Sequence, residues 1–360
     1  MGDDSAERRH LATTRRLGEM KLTVLGFGGP ANRGVKRAIR RLGGGRSRIR
    51  TALPQTCHSS PPVCAIQWVC ANESPNGGIY VHSRDADAYP EVTGYLIPTL
   101  LRYGQNEQAA RLTRWLLRIQ RRDGSYASPI GEPHVFDTGQ VLRGLLAAAG
   151  LVPDAVDACR HAAACLYAQM IDGGSGGFAV DSAWMKRYSR SIPVSAHLYV
   201  LPALRDASTA LQEPKYQEGA DRCLEYYLKH KGALQIGTLT HFLGYELEAL
   251  IDLGRTEAAI PVLGALRRLQ REDGSVRGKG GVSWVCTPGL AQLAVCWYKT
   301  GDRVSADRAM SWLERHQMPS GGFLGSYGAG ATYFPNVEIS WAAKFYLDAN
   351  LLRGEPVLRT

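Results

Sequence analysis

The sequence predicts an all-α fold, an (α/α)6 toroid in which six helical hairpins make a double ring, with a disordered basic extension ahead of it. Three observations lead there. A Gln/Gly turn recurs at intervals of about 50 residues or twice that, the scale of helix-pair arrays. Amphipathic segments alternate with segments that are apolar nearly all round. Almost all of the net positive charge falls at the beginning of the chain.

The turns read Gln120-Arg-Arg-Asp-Gly-Ser125, Gln169-Met-Ile-Asp-Gly-Gly174, Gln270-Arg-Glu-Asp-Gly-Ser275 and Gln317-Met-Pro-Ser-Gly-Gly322, with Glu73-Ser-Pro-Asn-Gly-Gly78 as a degenerate first copy. The segments leading into them carry apolar residues at three-to-four spacing, as in Ala109, Leu112, Trp115, Leu116 and Ile119, and are expected to form an outer layer over 63–72, 107–121, 153–170, 214–230, 256–271 and 305–317. Their partners, 95–103, 141–149, 194–204, 242–253, 290–298 and 339–352, are greasy over a wider arc and belong inside other helices. Six alternating pairs with short connections close into a ring, because each inner helix then touches two inner neighbours. An open solenoid is the competing arrangement, but it needs polar capping repeats, which neither end supplies.

Domain organisation follows the charge. Residues 1–57 read as the extension and 58–360 as the toroid domain. Residues 1–50 hold 13 Lys/Arg against 4 Asp/Glu, so the remaining body is nearly neutral and no nucleic-acid partner is implied for it. Gly26-Phe27-Gly28-Gly29 lacks the third glycine and the helix of a dinucleotide loop. The apolar run 22–27 is too short for a secretory signal. No stretch is long and apolar enough to predict a membrane span. Eight scattered cysteines without a CxxC predict reduced core thiols and a cytoplasmic location.

In a closed ring the inner helices run parallel, so their N-terminal ends share one mouth, where partial positive charge converges. The residues expected there are polar and aromatic: Tyr80, His82, Arg84, Tyr89, Glu91, Tyr95, Asp137, Gln140, Arg187, Tyr188, His197, His241, Tyr245, Trp284, Tyr327, Tyr333, Asn336, Glu338 and Trp341. Bland roles compete with functional ones. Pro90, Pro193, Pro288 and Pro335 mark helix starts, so Asp137, Thr138, Thr240 and Asn336 are equally readable as N-caps. Glu91 and Glu338 just inside inner helices also complement the dipole. His241 is readable as a satisfied core histidine, and the tyrosines as packing. The absence of an HExxH, a paired Cys/His cluster or a carboxylate-rich loop predicts no metal, and no cofactor signature is present.

Four stretches, Tyr89-Pro-Glu-Val-Thr-Gly-Tyr-Leu-Ile-Pro-Thr99, Val135-Phe-Asp-Thr-Gly-Gln-Val-Leu142, Trp284-Val-Cys-Thr-Pro-Gly-Leu-Ala-Gln292 and Tyr333-Phe-Pro-Asn-Val-Glu-Ile-Ser-Trp-Ala-Ala-Lys-Phe345, resemble in order the VpsJ-type polysaccharide biosynthesis proteins of bacterial exopolysaccharide clusters. That family is similar to the terpenoid-cyclase, prenyltransferase and six-hairpin-glycosidase toroids. The third inner helix departs from its pattern, opening Ser191-Ile-Pro-Val-Ser-Ala-His197. The Gln/Gly turns also look like the QW repeats of squalene-type cyclases, yet the DxDD acid motif is absent, Asp85-Ala-Asp-Ala88 being the nearest match.

The resemblance implies a carbohydrate-active enzyme of surface-polysaccharide biosynthesis acting on an acidic, uronic-acid-type glycan, with a glycan substrate and other biosynthesis proteins as partners. Epimerase or lyase chemistry would use Tyr95, His241 and Tyr333 as acid and base, with Arg187 or Arg84 neutralising the substrate carboxylate. Hydrolysis would use Glu91, Asp137 and Glu338. The remaining mouth residues are expected to bind substrate. A non-catalytic glycan-binding scaffold and an isoprenoid cyclase or transferase are the alternatives.

Overall fold

The computed structural model describes residues 56–85, 87–127, 131–179, 194–229 and 233–354. The basic extension, Arg187 and Tyr188 lie outside them. Among the described residues twelve α-helices alternate between outer and inner positions. The outer ones are α1 (Pro61–Ala71), α3 (Asn106–Ile119), α5 (Ala155–Ala168), α7 (Pro214–Lys229), α9 (Thr256–Leu269) and α11 (Arg303–Arg315). The inner ones are α2 (Pro90–Arg102), α4 (Val135–Ala148), α6 (Leu201–Leu211), α8 (Thr240–Asp252), α10 (Thr287–Lys299) and α12 (Ser340–Gly354). One short antiparallel ribbon, β1 (Val285–Cys286) with β2 (Ser326–Tyr327), precedes α10.

Burial follows the predicted pattern. Every residue of α10 from Thr287 to Tyr298 is buried, whereas α9 buries only Ala259, Leu263 and Leu266. Each inner helix packs on the next, and α12 packs on both α2 and α1, so the ring is closed. Glycine makes the inner contacts close. A Cβ on Gly144 would lie 2.2 Å from the Gly94 carbonyl oxygen, and one on Gly289 would lie 2.2 Å from Thr240 Oγ1. The third inner element begins as a 3-10 stretch, Val194–Val200, before α6. Pro202 has no amide N–H to bond four residues back, so regular α-helix starts only beside it.

The repeated turn is the joint between hairpins. Gln120 Nε2 donates to Gly124 O (3.2 Å) inside its own turn and to Ala158 O (2.9 Å) on α5. Gln270 Nε2 does the same with Gly274 O (3.0 Å) and Ser305 O (2.9 Å) on α11, and Gln317 Nε2 with Gly321 O (2.8 Å) and Pro61 O (2.9 Å) on α1. The last turn therefore grips the first helix as the turns at Gln120 and Gln270 grip their successors. The turn glycines have left-handed φ (+84°, +94° and +93° at 124, 274 and 321) and abut carbonyls of the next helix that a Cβ would strike. Asp123 Oδ1 accepts from Ser125 N and Oγ, and Asp273 Oδ1 repeats this with Ser275.

Two expectations need correcting. The cysteines are not all reduced: Cys57 and Cys64 form a disulfide between the chain entering α1 and its first turn, while Cys70, Cys159, Cys165, Cys223, Cys286 and Cys296 are free. The entering chain folds back against the closing turn, where Cys57 N donates to Pro319 O (2.7 Å), and this brings the thiols together. The thiol pattern thus no longer argues for a reducing compartment. Nor do Asp137, Thr138 and Thr240 act as the N-caps they could have been: the N-cap positions of α4 and α8 are His134 and Leu239, and neither makes a side-chain cap bond. Thr138 Oγ1 donates to His134 O and accepts from Tyr126 N, as Thr93 Oγ1 donates to Tyr89 O and accepts from Ile79 N, so both staple the incoming chain to an inner helix.

Gln317→Ala is expected to lower unfolding free energy by about 1–2 kcal/mol, like Gln120→Ala and Gln270→Ala, because each strands two backbone carbonyls. Gly274→Ala, with both a strained φ and a Cβ 2.0 Å from Arg308 O, is expected to cost about 2 kcal/mol or more. Cys57→Ser should cost about 2 kcal/mol and make stability insensitive to reductant. Urea denaturation measures all five. A closing turn whose glutamine can be removed without effect, while the internal ones cannot, contradicts the equivalence.

Candidate active site

Pro90 fixes the first turn of α2 and leaves Glu91 one residue inside it, buried (3% exposed). Trp341 Nε1, from α12 across the closure of the ring, donates to both Glu91 oxygens at 3.1 and 3.2 Å. Burial, then the charge of Asp137, pushes the Glu91 carboxyl well above the usual carboxylate range, against the opposing pull of the Trp341 N–H and the Lys344 ammonium. Asp137, in the first turn of α4, is equally buried. Its Oδ2 accepts from the Tyr89 hydroxyl at 2.5 Å, and its Oδ1 lies 2.9 Å from His134 Nδ1. Two carboxyls on neighbouring inner helices thus have different surroundings. Glu91 sits where its neutral form is favoured, while Asp137 is met by a hydroxyl and an imidazole.

His241, in the first turn of α8, is fixed at both nitrogens. Gln292 Oε1 lies 2.6 Å from Nδ1 and can only accept, so Nδ1 carries the proton and Nε2 accepts from the Tyr245 hydroxyl at 3.0 Å. Burial, with the nearby Lys344 charge, lowers its pKa to about 3, so the ring is neutral. Below the carboxyls the axis is filled by aromatic rings: Tyr199 and Tyr245 centroids are 4.7 Å apart, Phe136 and Tyr245 5.0 Å, and Tyr245 and Phe345 6.0 Å. Lys344 Nζ stands among them, 5.2 Å from the Tyr95 ring, hydrogen-bonded to Tyr199 Oη (3.2 Å) and paired with Asp348 (2.9 Å). Burial, with the Glu91 charge contributing, drives the Tyr95, Tyr245 and Tyr333 hydroxyls well above 10.

Glu91, Asp137, Tyr89, Tyr95, His241, Tyr245, Tyr333 and Trp341 therefore share one centre, with the Tyr333 ring 5.9 Å and the Trp341 ring 6.1 Å from His241. Gln140 and His197 are buried on the adjoining inner elements with no hydrogen-bond partner at either side-chain end, and burial with the nearby His134 holds His197 near 3. Glu338 does not join them. It lies two residues before α12, where Oε2 accepts from Trp68 Nε1 of α1 (2.6 Å) and Oε1 from Ser320 Oγ (2.5 Å), which makes it a strut of the ring closure. Trp284 packs flat where Cβ atoms on Gly278 would strike it, and Tyr80 is tied by its backbone to Asn72 and Ser340. His82 pairs with Asp85 (3.2 Å), while Arg84 is exposed on the same turn leading to α2. Tyr327 and Asn336 line a separate cleft of about 380 Å3 on the loop between β2 and α12.

The sequence places His134 at the mouth but assigns no role to it, nor to Lys344 and Gln292. Each had a signal: a histidine three residues before Asp137, and single polar residues within otherwise apolar inner segments. Among the described residues no three or more His, Cys, Asp or Glu side chains are grouped to hold a metal ion.

No protein-family profile matches the chain, and neither does any curated protein. Solved structures do. An unsaturated glucuronyl hydrolase specific for heparin is 14% identical over 89% of this chain and 94% of its own, with a TM-score of 0.59. A glycosidase variant in complex with glucose is 14% identical over 82% and 96%, with a TM-score of 0.64. A glycosyl hydrolase of family 88 from Bacteroides vulgatus is 10% identical over 81% and 97%, with a TM-score of 0.59. At such identities the likeness establishes the fold alone, the (α/α)6 toroid.

The buried groups set opposite pH responses. Glu91 titrates higher folded than its ordinary 4.5, so its stabilising contribution is complete below that value and is lost as pH rises through the folded value. Glu91→Gln should therefore gain stability over the parent by about 1.4 kcal/mol per pH unit within that window, and a pH-independent difference between about pH 5 and 9 would refute the burial argument. His197 and His241 titrate lower folded than 6.5, so they destabilise the fold as pH falls from 6.5 towards 3. Nitrogen-15 NMR should show His241 as the neutral Nδ1–H tautomer down to about pH 4.

Proposed function

We propose that the chain is a carbohydrate-active enzyme performing acid/base chemistry on an acidic, uronic-acid-type glycan at the mouth of the inner ring. The observation that carries this reading is the buried Glu91–Asp137 pair, two carboxyls with contrasted surroundings on consecutive inner helices. Glu91, kept protonated by burial, is the proton donor to the glycosidic oxygen as its bond to the anomeric carbon breaks. Asp137, oriented by Tyr89 and His134, takes a proton from the water whose oxygen forms the new bond. Arg84, exposed on the turn that leads to α2, is available to a substrate carboxylate, as are the converging helix N-termini. The heparin-directed glucuronyl hydrolase with the same fold supports the uronic-acid assignment. The VpsJ-like stretches support a place in bacterial surface-polysaccharide assembly.

The chemistry of the phenols favours this over proton abstraction by tyrosine. Tyr95, Tyr245 and Tyr333 hold their protons more tightly than free tyrosine, and the basic nitrogen of His241 is already engaged by Tyr245. An epimerase or lyase base needs the reverse shift. An isoprenoid chamber is disfavoured too, because rings in mutual contact fill the axis and enclose the Lys344 ammonium.

Incubation with uronic-acid oligosaccharides in deuterated water, followed by NMR, tests the reading. New reducing ends without deuterium at C5 of intact uronic acids are expected, and exchange at C5 in unbroken chains would support epimerisation instead. Glu91→Gln and Asp137→Asn should each lower kcat by roughly 10²–10⁴-fold with the fold retained. Turnover that survives both substitutions rejects the pair as acid and base.

A further inference from the structure

The titratable groups of the carboxyl centre are shut in. Glu91 is 3% exposed, Asp137 2% and His241 1%, so a sugar ring cannot touch them as they stand. Entry requires part of the wall to move. The other members of the centre belong to inner helices or, like Tyr89, to a residue bonded to the first helical turn, whereas Tyr333 is carried by the loop between β2 and α12.

That loop is fixed at both ends and loose between them. Its entry is held where Thr287 N donates to Gly325 O (3.0 Å) and Tyr327 Oη donates to His316 O (2.6 Å). Its exit is held where Ser83 N donates to Glu338 O (2.9 Å) and Trp68 Nε1 donates to the Glu338 carboxylate. Among the described residues, the backbone from 329 to 333 makes a single hydrogen bond, Ala331 N to Gly328 O (3.2 Å), before Gly325 N returns to Phe334 O (3.0 Å). Ala329, Gly330 and Thr332 are exposed, and the outward side of the loop borders an open depression. Few backbone bonds and little burial mark a segment that opens more readily than the helices around it.

Aromatic contacts hold the segment down. The Tyr333 ring stands 5.9 Å from His241, and the Phe334 ring is 5.8 Å from His82 and 5.8 Å from Trp341, the residue that donates to Glu91. The backbone works against those contacts. Phe334 has a φ of +48°, a left-handed conformation unfavourable for a bulky side chain, while Gly328 (+116°) and Gly330 (+71°) occupy the same half of conformational space without strain. Ring packing is thus set against backbone strain, with glycines placed where the chain can pivot.

We infer that residues 328–334 form a strap that closes over the carboxyl centre, with Tyr333 as its plug, and that it lifts about Gly328, Gly330 and Phe334 to admit a ligand. The inference rests on the proposed function for the identity of that ligand, a glycan unit, but the motion itself is testable without turnover.

The reporter is Glu91→Cys in the full chain, alkylated with iodoacetamide and read at position 91 by mass spectrometry. Labelling should be far slower than that of a free thiol, yet nearly independent of urea well below the unfolding midpoint, because lifting the strap exposes little surface. Gly330→Ala is the discriminating variant. Its Cβ would meet nothing within 4 Å, so the closed wall stays intact, but alanine disfavours the φ of +71° that the closed strap adopts. Labelling at position 91 should therefore rise about fivefold or more. Tyr333→Ala, which removes the plug, should raise it at least tenfold. Where Glu91→Cys does not fold, solvent exchange of the His241 Nδ1 proton, followed by NMR with glutamate retained at position 91, reports the same changes in the same two variants. Labelling or exchange that tracks global unfolding in urea, or that Gly330→Ala leaves unchanged, overturns the strap. If the centre opens in a Gly330→Ala-sensitive manner but no glycan is turned over, the acid/base reading fails and the strap stands. If the parent turns over uronic-acid glycans while Gly330→Ala alters neither labelling nor exchange, the strap fails and the acid/base reading stands.

Discussion

The glutamine of the recurrent turn holds two carbonyls at once, one from its own turn and one from the next outer helix, and the rest of the structure is built on that grip. It works at Gln120, Gln270 and Gln317 because the glycine four residues on adopts a left-handed φ and presents no Cβ to the neighbouring helix. Each of these three turns therefore fixes the position of the following hairpin without a large side-chain interface. When Gln317 meets Pro61, the same geometry that advances the chain around the ring also ends it. Closure then presses α12 against α2 and brings Trp341 to Glu91. The principal polar partner of the proposed acid thus comes from the opposite end of the chain, so the acid's environment depends on the ring being shut.

That dependence explains why a carboxyl can be kept in a place so unfavourable to its charge. An isolated buried carboxylate is strongly penalised, and the usual outcome is a raised pKa. In the proposed mechanism that penalty is the useful property, since a donor must hold its proton at the pH at which it works. The indole N–H satisfies Glu91 in either protonation state without fixing it as an anion. Asp137, close by, receives the Tyr89 hydroxyl and faces His134, so the pair is divided by its neighbours rather than by its chemistry.

The toroid was legible because its two signals, turn spacing and the breadth of the apolar arc, are local consequences of the fold. Glu91, Asp137 and His241 were legible as buried polar groups for a related reason: each is a polar side chain in the first turn of a helix that must be buried. Glu338 shows the limit of that reasoning. It looks like Glu91 in sequence, but α12 begins two residues after it, and the carboxylate is taken up by Trp68 and Ser320. Tyr327 likewise spends its hydroxyl on His316 O and Leu324 N. The Cys57–Cys64 bridge was hidden because a spacing of seven, when the second cysteine is helical, looks like two thiols on separate surfaces. Only the backward fold of the entering chain joins them.

Lys344 sits oddly in a greasy segment, and its acidic partners supply a reason for it. Glu91 and Asp137 occupy first turns of inner helices, where the partial positive helix ends favour a carboxylate. Beyond the first turns acids and cations are gathered together: Arg143 and Lys344 lie within inner helices and Lys299 ends one. Glu248 and Asp252 pair there with Lys299 (3.2 and 2.6 Å), and Asp348 with Lys344. Burial raises the Glu248 carboxyl, but Lys299, Lys344 and Arg143 outweigh it and hold the group at about 2. Two carboxyls of one ring are therefore shifted in opposite directions by their neighbours. Glu248 lies among three cations, whereas burial and the charge of Asp137 outweigh the pull of Trp341 and Lys344 on Glu91.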